Sequence, residues 1–171
     1  MMRELWKEIE NTDPGVCRPA ACLLQVLFEN ANQQQASLFV EPTLKLIMPI
    51  LKQPTPITVD PERDADQENV ICTLIDCIAS MASVDGGPID NDSMIDIFET
   101  IIPLLGLDHS NSKRLSTLRC IGELSEYHSY VITPYRDHSA LISSLLICLQ
   151  DPEINETALK VLKICSGQIA P

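Results

Sequence analysis

The stretch Val70-Ile71-Cys72-Thr73-Leu74-Ile75-Asp76-Cys77-Ile78 decides the fold class. Its apolar stripe, Val70, Leu74, Cys77 and Ile78, recurs at intervals of three and four, the spacing that gathers side chains on one face of a helix. A strand would alternate, and would draw on more aromatic and β-branched residues. The same stripe occurs upstream between Ala20 and Phe28, with Ala20, Leu23, Val26 and Leu27, and downstream between Leu115 and Leu124, with Leu118, Cys120, Ile121 and Leu124. The chain reads as all-α.

Laid over one another, the three stripes bring Leu23, Leu74 and Ile121 into register, then Gln25, Asp76 and Glu123, then Val26, Cys77 and Leu124. The intervals are 51 and 47 residues, and Leu38-Phe39 and Pro134-Tyr135 stand 96 apart, close to two such periods. A helical pair recurring with a period in the forties marks a HEAT- or armadillo-type array, in which each hairpin leaves an apolar face that the next one covers. The expected architecture is therefore an α-solenoid of about four helical hairpins, residues 1–171 forming a single domain.

Breakers divide the chain into about eight helices. Pro14 and Pro19 limit the start of the second, and Pro42 suits the first turn of the third, where a missing N–H costs nothing. Gln53-Pro-Thr-Pro56 closes the third and Asp85-Gly-Gly-Pro88 the fourth, while Asp90, Asn91 or Asp92 caps the fifth. Residues 107–112 form a polar turn before the sixth, Thr133-Pro134 opens the seventh, and Asp151-Pro152 parts it from the eighth. Helices of ten to seventeen residues with short turns imply antiparallel neighbours.

Charge excludes one class of function and suggests another. The 171 residues carry 24 acidic against 12 basic side chains, a net charge of −12, which opposes binding to nucleic acid, where phosphates need Lys and Arg. Residues 54–100 hold eleven of the acids, opposed by Arg63 alone. Within them Asp60, Glu62, Asp64, Asp66 and Glu68 read as a solvated acidic loop, about residues 53–68, between two helical pairs: a solubility device, or a contact for a basic partner. No apolar run approaches 18 residues, so no membrane span is expected, and the opening Met-Met-Arg-Glu-Leu-Trp-Lys-Glu lacks a secretory apolar stretch. The expected location is the cytoplasm, with the nucleus open as well.

Catalytic and metal chemistry are not legible. Asp90-Asn-Asp92 with Asp96 and Glu99 is rich in oxygen ligands, but the fifth and sixth positions of a calcium loop fall on Met94 and Ile95. The seven cysteines (Cys17, Cys22, Cys72, Cys77, Cys120, Cys148 and Cys165) form no CxxC pair, and their apolar settings read as free buried thiols. His109, His128 and His138 lie near turns, with no spacing that places one beside a thiol. No glycine-rich phosphate loop or kinase signature occurs, and no cofactor or metal is expected. Gly122, inside a helix, suggests close approach of a neighbour, and Trp6 a ring packed under the N-terminal end. Leu5, Trp6 and Ile9 near one end, with Val161, Leu162 and Ile164 near the other, suggest uncapped faces that take further repeats or a second copy. Tyr130, Pro134, Tyr135 and Arg136 flank a turn where rings lock one hairpin onto the next or contact a partner.

Three segments carry a family resemblance: Phe39 through Pro56, Lys113-Arg-Leu-Ser-Thr-Leu-Arg-Cys-Ile-Gly-Glu-Leu124, and Tyr130-Val-Ile-Thr-Pro-Tyr-Arg136 followed by Leu141 through Leu149. In order and spacing they resemble the N-terminal HEAT region of target-of-rapamycin (TOR) kinases, over roughly residues 20–169. The resemblance implies a piece of scaffold from a Ser/Thr protein kinase whose catalytic domain lies elsewhere, and which dimerises and binds an adaptor subunit of the Raptor type. No catalytic residue carries over. The rival reading is an adaptor of another kind, such as an importin-β-like transport segment, whose acidity suits basic cargo.

Overall fold

A computed structural model describes residues 1–54, 59–86, 88–127 and 138–167. Among them are eight α-helices: α1 (Met2–Ile9), α2 (Pro14–Glu29), α3 (Gln33–Lys52), α4 (Pro61–Ala82), α5 (Asn91–Ile101), α6 (Asn111–Tyr127), α7 (Ala140–Leu149) and α8 (Asn155–Gly167). A short 3₁₀ turn, Ile102–Leu105, continues α5. No strand occurs among the described residues.

The helix starts follow local chemistry. Asp13 accepts a hydrogen bond from the Gly15 amide at 2.9 Å, with Pro14 at the first position, and Asp90 accepts one from the Ser93 amide at 2.8 Å. Asn32 and Gln35 close a capping box, the Asn32 side chain accepting from the Gln35 amide and the Gln35 side chain from the Asn32 amide. That box starts α3 nine residues before Pro42, so Pro42 lies in the helix interior, and Pro49 with it. An interior proline costs about 3 kcal/mol. Val40, Leu44, Ile47, Met48 and Leu51 offset this, all buried from the same helix at about 1.5–3 kcal/mol each.

The acidic stretch expected as a loop is mostly helix. Asp60 caps α4, its carboxylate accepting from the Glu62 and Arg63 amides at 3.1 and 3.4 Å, and Pro61 holds the first position. Glu62 and Asp64 sit in the first turn, where the positive end of the helix dipole favours carboxylates. Acid density here is the chemistry of a helix N-terminus, and α4 grows to 22 residues as a result. The seventh helix is described from Ala140 onward, and the expected start at Thr133-Pro134 lies outside the described residues.

Packing follows chain order in two layers. In the inner layer α2 lies against α4, α4 against α6 and α6 against α8. The outer elements cover them: α1 packs on α2, α3 on α4, the 3₁₀ turn on α6 and α7 on α8, with α3 touching α5 and the turn touching α7. This is an α-solenoid of four stacked helical pairs. Inner helices meet through small and sulfur-bearing side chains: Cys77 Sγ donates to the Ala21 carbonyl oxygen at 3.1 Å, and Ser125 Oγ and Cys165 Sγ are 3.5 Å apart. At Gly122 a Cβ would lie 3.5 Å from Val161 Cγ2 and 3.9 Å from Ile164 Cδ1, ordinary contact distances that leave room for alanine.

Two polar ties lock neighbouring layers. The Trp6 ring donates Nε1–H to Thr43 Oγ1 at 3.1 Å and meets Phe39 edge-on with centroids 6.4 Å apart, fixing α1 to α3 as its place under the array suggests. The buried Arg114 guanidinium donates to the Leu105 carbonyl oxygen at 3.2 Å, to Asn111 Oδ1 at 3.0 Å and to Asp151 Oδ2 at 2.9 Å. One cation thus joins α6, the 3₁₀ turn and the α7–α8 turn, with its hydrogen-bonding groups largely satisfied.

Candidate protein-contact surface

The five acids singled out from the sequence do not form one strip. Alternate positions along a helix fall on opposite sides, because successive pairs are turned by about 200°. Glu62 and Asp66 are exposed on one side of α4, while Asp64 and Glu68 are half-buried on the other, and Asp60 is committed to the cap. Glu68 Oε1 is buried with no hydrogen-bond partner.

A second acidic feature arises where α3 meets α5. A groove of about 510 Å³ is lined by Glu41, Lys45 and Lys52 from α3, and by Asp90, Asp92 and Asp96 from the start of α5. Lys45 pairs with Glu41 and Lys52 with Asp96, each at 2.6 Å, which leaves Asp90 and Asp92 as the uncompensated charge. The Ser93 amide hydrogen bond holds the Asp90 carboxyl below its usual range. Such a groove can attract a basic segment. It presents carboxylates and ammonium groups but no activated nucleophile.

The thiols are free, as read from the sequence, yet two are not buried: Cys22 is exposed and Cys72 half-buried. Burial pushes the thiols of Cys17, Cys72, Cys77, Cys120 and Cys148 upward, away from the reactive thiolate. Burial likewise lifts the Asp76 carboxyl, against the pull of Ser116 and Arg119. Among the described residues no group of three or more His, Cys, Asp or Glu side chains is placed to hold a metal ion. No helix there is long and apolar enough to cross a membrane.

The ends of the array are apolar, but not through the residues expected. Leu5, Ile9 and Val161 are buried, and Trp6, Leu162 and Ile164 partly so, because each packs on the neighbouring helix of its own array. Exposed instead are Leu23 (47%) and Val26 (51%) on α2, and Ile142 (39%), Leu146 (50%) and Ile147 (38%) on α7 with Leu159 (44%) on α8. Their positions follow from the repeat. Cys77 meets α2 and Leu74 is buried beside it, and their counterparts Ile121 and Leu124 on α6 are buried; Leu23 and Val26 hold the same rungs on α2, the first inner helix among the described residues. The register is available in the sequence; that its first copy faces solvent follows only from the order of stacking.

No family model matches the chain. It is 27% identical over 139 residues to the serine/threonine-protein kinase tor1 of Schizosaccharomyces pombe, covering 78% of this chain and 6% of that protein. It is 29% identical over 120 residues to the target of rapamycin homolog of Caenorhabditis elegans, covering 67% of this chain and 4% of that protein. The chain is similar to TOR kinases. It spans a small fraction of the length of these relatives. Of the three TOR-like segments, Phe39–Pro56 is largely α3 and Lys113–Leu124 lies in α6, so two of them sit on adjacent pairs of the stack. Tyr130, Pro134, Tyr135 and Arg136 lie outside the described residues.

Proposed function

We propose that this chain is a non-catalytic HEAT-repeat scaffold, a stretch of a TOR-type Ser/Thr protein kinase that works in the cytoplasm by holding proteins together in a TOR complex. The likeness to two TOR proteins over most of the chain carries the reading. Further support comes from the fold: a stack of helical pairs offers long rows of side chains, and function in such arrays resides in surfaces. The proposed partner is an adaptor subunit of the Raptor type, contributing to complex assembly instead of to phosphoryl transfer. The exposed carboxylates of Glu62, Asp66 and Asp92 favour a second reading, in which the acidic surface takes a basic segment, as an importin-β-like transport receptor would.

Pull-down separates the two. The immobilised chain is offered a Raptor-type protein and, separately, a lysine-rich peptide at near-physiological salt. Retention of the former supports the TOR reading. Retention of the peptide alone, lost when Glu62, Asp66 and Asp92 are changed to the corresponding amides, overturns it in favour of transport.

A further inference from the structure

We propose that the cavity between the end of α3 and the start of α6 binds a small monocarboxylate with an apolar body, held by the ammonium of Lys113. The site stands apart from the TOR reading, which its failure would leave untouched. The cavity, about 520 Å³, is lined from α3, α4, α5, the 3₁₀ turn and the first turn of α6. Lys113 lines it and is 7% exposed. The backbone there is satisfied: the Lys113 amide donates to Ser110 Oγ at 3.2 Å, and its carbonyl oxygen accepts from Thr117 Oγ1 at 2.8 Å. The ammonium has no hydrogen bond or ion pair among the described residues.

The next residue shows how this fold treats a buried cation that it uses structurally. Arg114, 2% exposed, donates to three oxygen acceptors; Lys113 beside it has none for its ammonium. A buried ammonium without a counter-charge is costly. This one also sits in the first turn of α6, where the helix dipole is already positive and no acidic side chain stands. Both terms favour an anion beside it. The rest of the lining sets how much charge that anion carries. Lys52 is spent on Asp96 at 2.6 Å, and Glu99, exposed, forms no ion pair with Lys113. One negative charge is drawn to Lys113, while a second would meet Glu99, which opposes dianions such as phosphate. Leu51, Ile71 and Leu104 supply apolar wall for the body of the ligand, and the His109 imidazole lines the same cavity as a further hydrogen-bonding group.

Hexanoate, hexanamide and inorganic phosphate, titrated in turn into the 171-residue chain in a zwitterionic buffer, test this, with amide NMR shifts reporting affinity and place. Hexanoate is expected to bind and to shift the amides of Leu104, His109 and Lys113. Hexanamide, which lacks the charge-assisted contact, is expected to bind at least about tenfold more weakly. Phosphate is expected to do no better than hexanamide. Lys113→Met and Lys113→Gln remove the charge and keep a side chain of similar length. Both should reduce hexanoate to the level of hexanamide, yet melt at or above the parent in the same buffer, because an unpaired buried ammonium is gone. Where one variant loses helical content by circular dichroism, the other carries the comparison. Hexanoate bound no better than hexanamide overturns the proposal, as does phosphate bound more tightly than hexanoate. So does hexanoate binding that survives in the variants. Both variants melting well below the parent would overturn it as well, since Lys113 would then have a partner within the fold.

Discussion

Two aspartates placed on the same rung of the repeat should have opposite fates. Ile121 and Leu23 occupy equivalent positions, yet Ile121 is fully buried and Leu23 is about half exposed. Ile121→Asp forfeits the burial of a large aliphatic side chain, about 1.5–3 kcal/mol. It also places a carboxyl in an apolar junction; a pKa raised by about 3–5 units, the range seen for fully buried acids, means the group takes up a proton, which at pH 7 costs about 4 kcal/mol from an unfolded value of about 3.9. The total, about 5–7 kcal/mol, is of the order of the whole stability of a typical domain, about 5–15 kcal/mol. Leu23→Asp, at a solvated position, should stay within about 0.5 kcal/mol. Thermal unfolding followed by circular dichroism at pH 7 should show Ile121→Asp unfolded or lowered by roughly 10–30 °C, at about 2–4 °C per kcal/mol for this size, and Leu23→Asp nearly unchanged. The sign with pH is fixed as well. In the Ile121→Asp variant the introduced carboxyl has a folded-state pKa above its unfolded one, so the folded form holds the extra proton and the deficit shrinks as pH falls from the folded pKa toward the unfolded one. Equal losses at the two sites would refute the stacking order from which the rungs were assigned.

Other consequences are smaller but independent. Gly122→Ala should raise stability by up to about 1 kcal/mol, since the added methyl meets Val161 and Ile164 at ordinary distances and the helix gains propensity; a lowered melting temperature would mean that α6 and α8 approach more closely than described. Asp90→Ala should cost about 1 kcal/mol at pH 7, the usual worth of such a cap. Because the Asp90 pKa is lowered in the fold, its contribution is present above the unfolded carboxylate value and is lost as pH falls through the folded one, so denaturant curves of parent and variant should converge in acid. A thiol reagent applied to the native protein should label Cys22 fast and Cys72 more slowly, with Cys77, Cys120 and Cys148 protected until unfolding; early labelling of Cys120 would contradict the buried α4–α6 junction.

Much of the fold is legible because helical pairs advertise themselves in two ways, by stripe and by cap. The stripes of α4 and α6 predict buried faces correctly at Leu74, Cys77, Ile121 and Leu124, and Pro14, with Asp90 among the three cap candidates, marks helix starts that the structure keeps. Reading fails where two local signals conflict and packing decides. Pro42 looks like a helix start by propensity, yet the Asn32–Gln35 box begins α3 earlier and the buried residues after Pro42 hold it together. The run Asp60–Glu68 looks like solvated loop by charge, yet carboxylates at a helix N-terminus are favourable, and Pro61 with the Asp60 cap is the stronger signal.

Surface function is harder to read than fold, for a geometrical reason. A stripe states that a face is apolar; it does not state whether a neighbour exists to cover it. Leu23 and Leu74 are the same residue type on the same rung, separated by one period, and their different exposure comes from position in the stack and from nothing in their immediate sequence. Sequence reading therefore looks for open faces nearest the termini, at Leu5 and Ile9 and at Val161, and finds residues that α2 and α6 already cover. In a stack of paired layers the outermost inner helix is α2, not α1, so an open face on the inner layer begins one helix into the chain. Counting layers before assigning surfaces places it, and the same count applies to any array in which helices alternate between two layers.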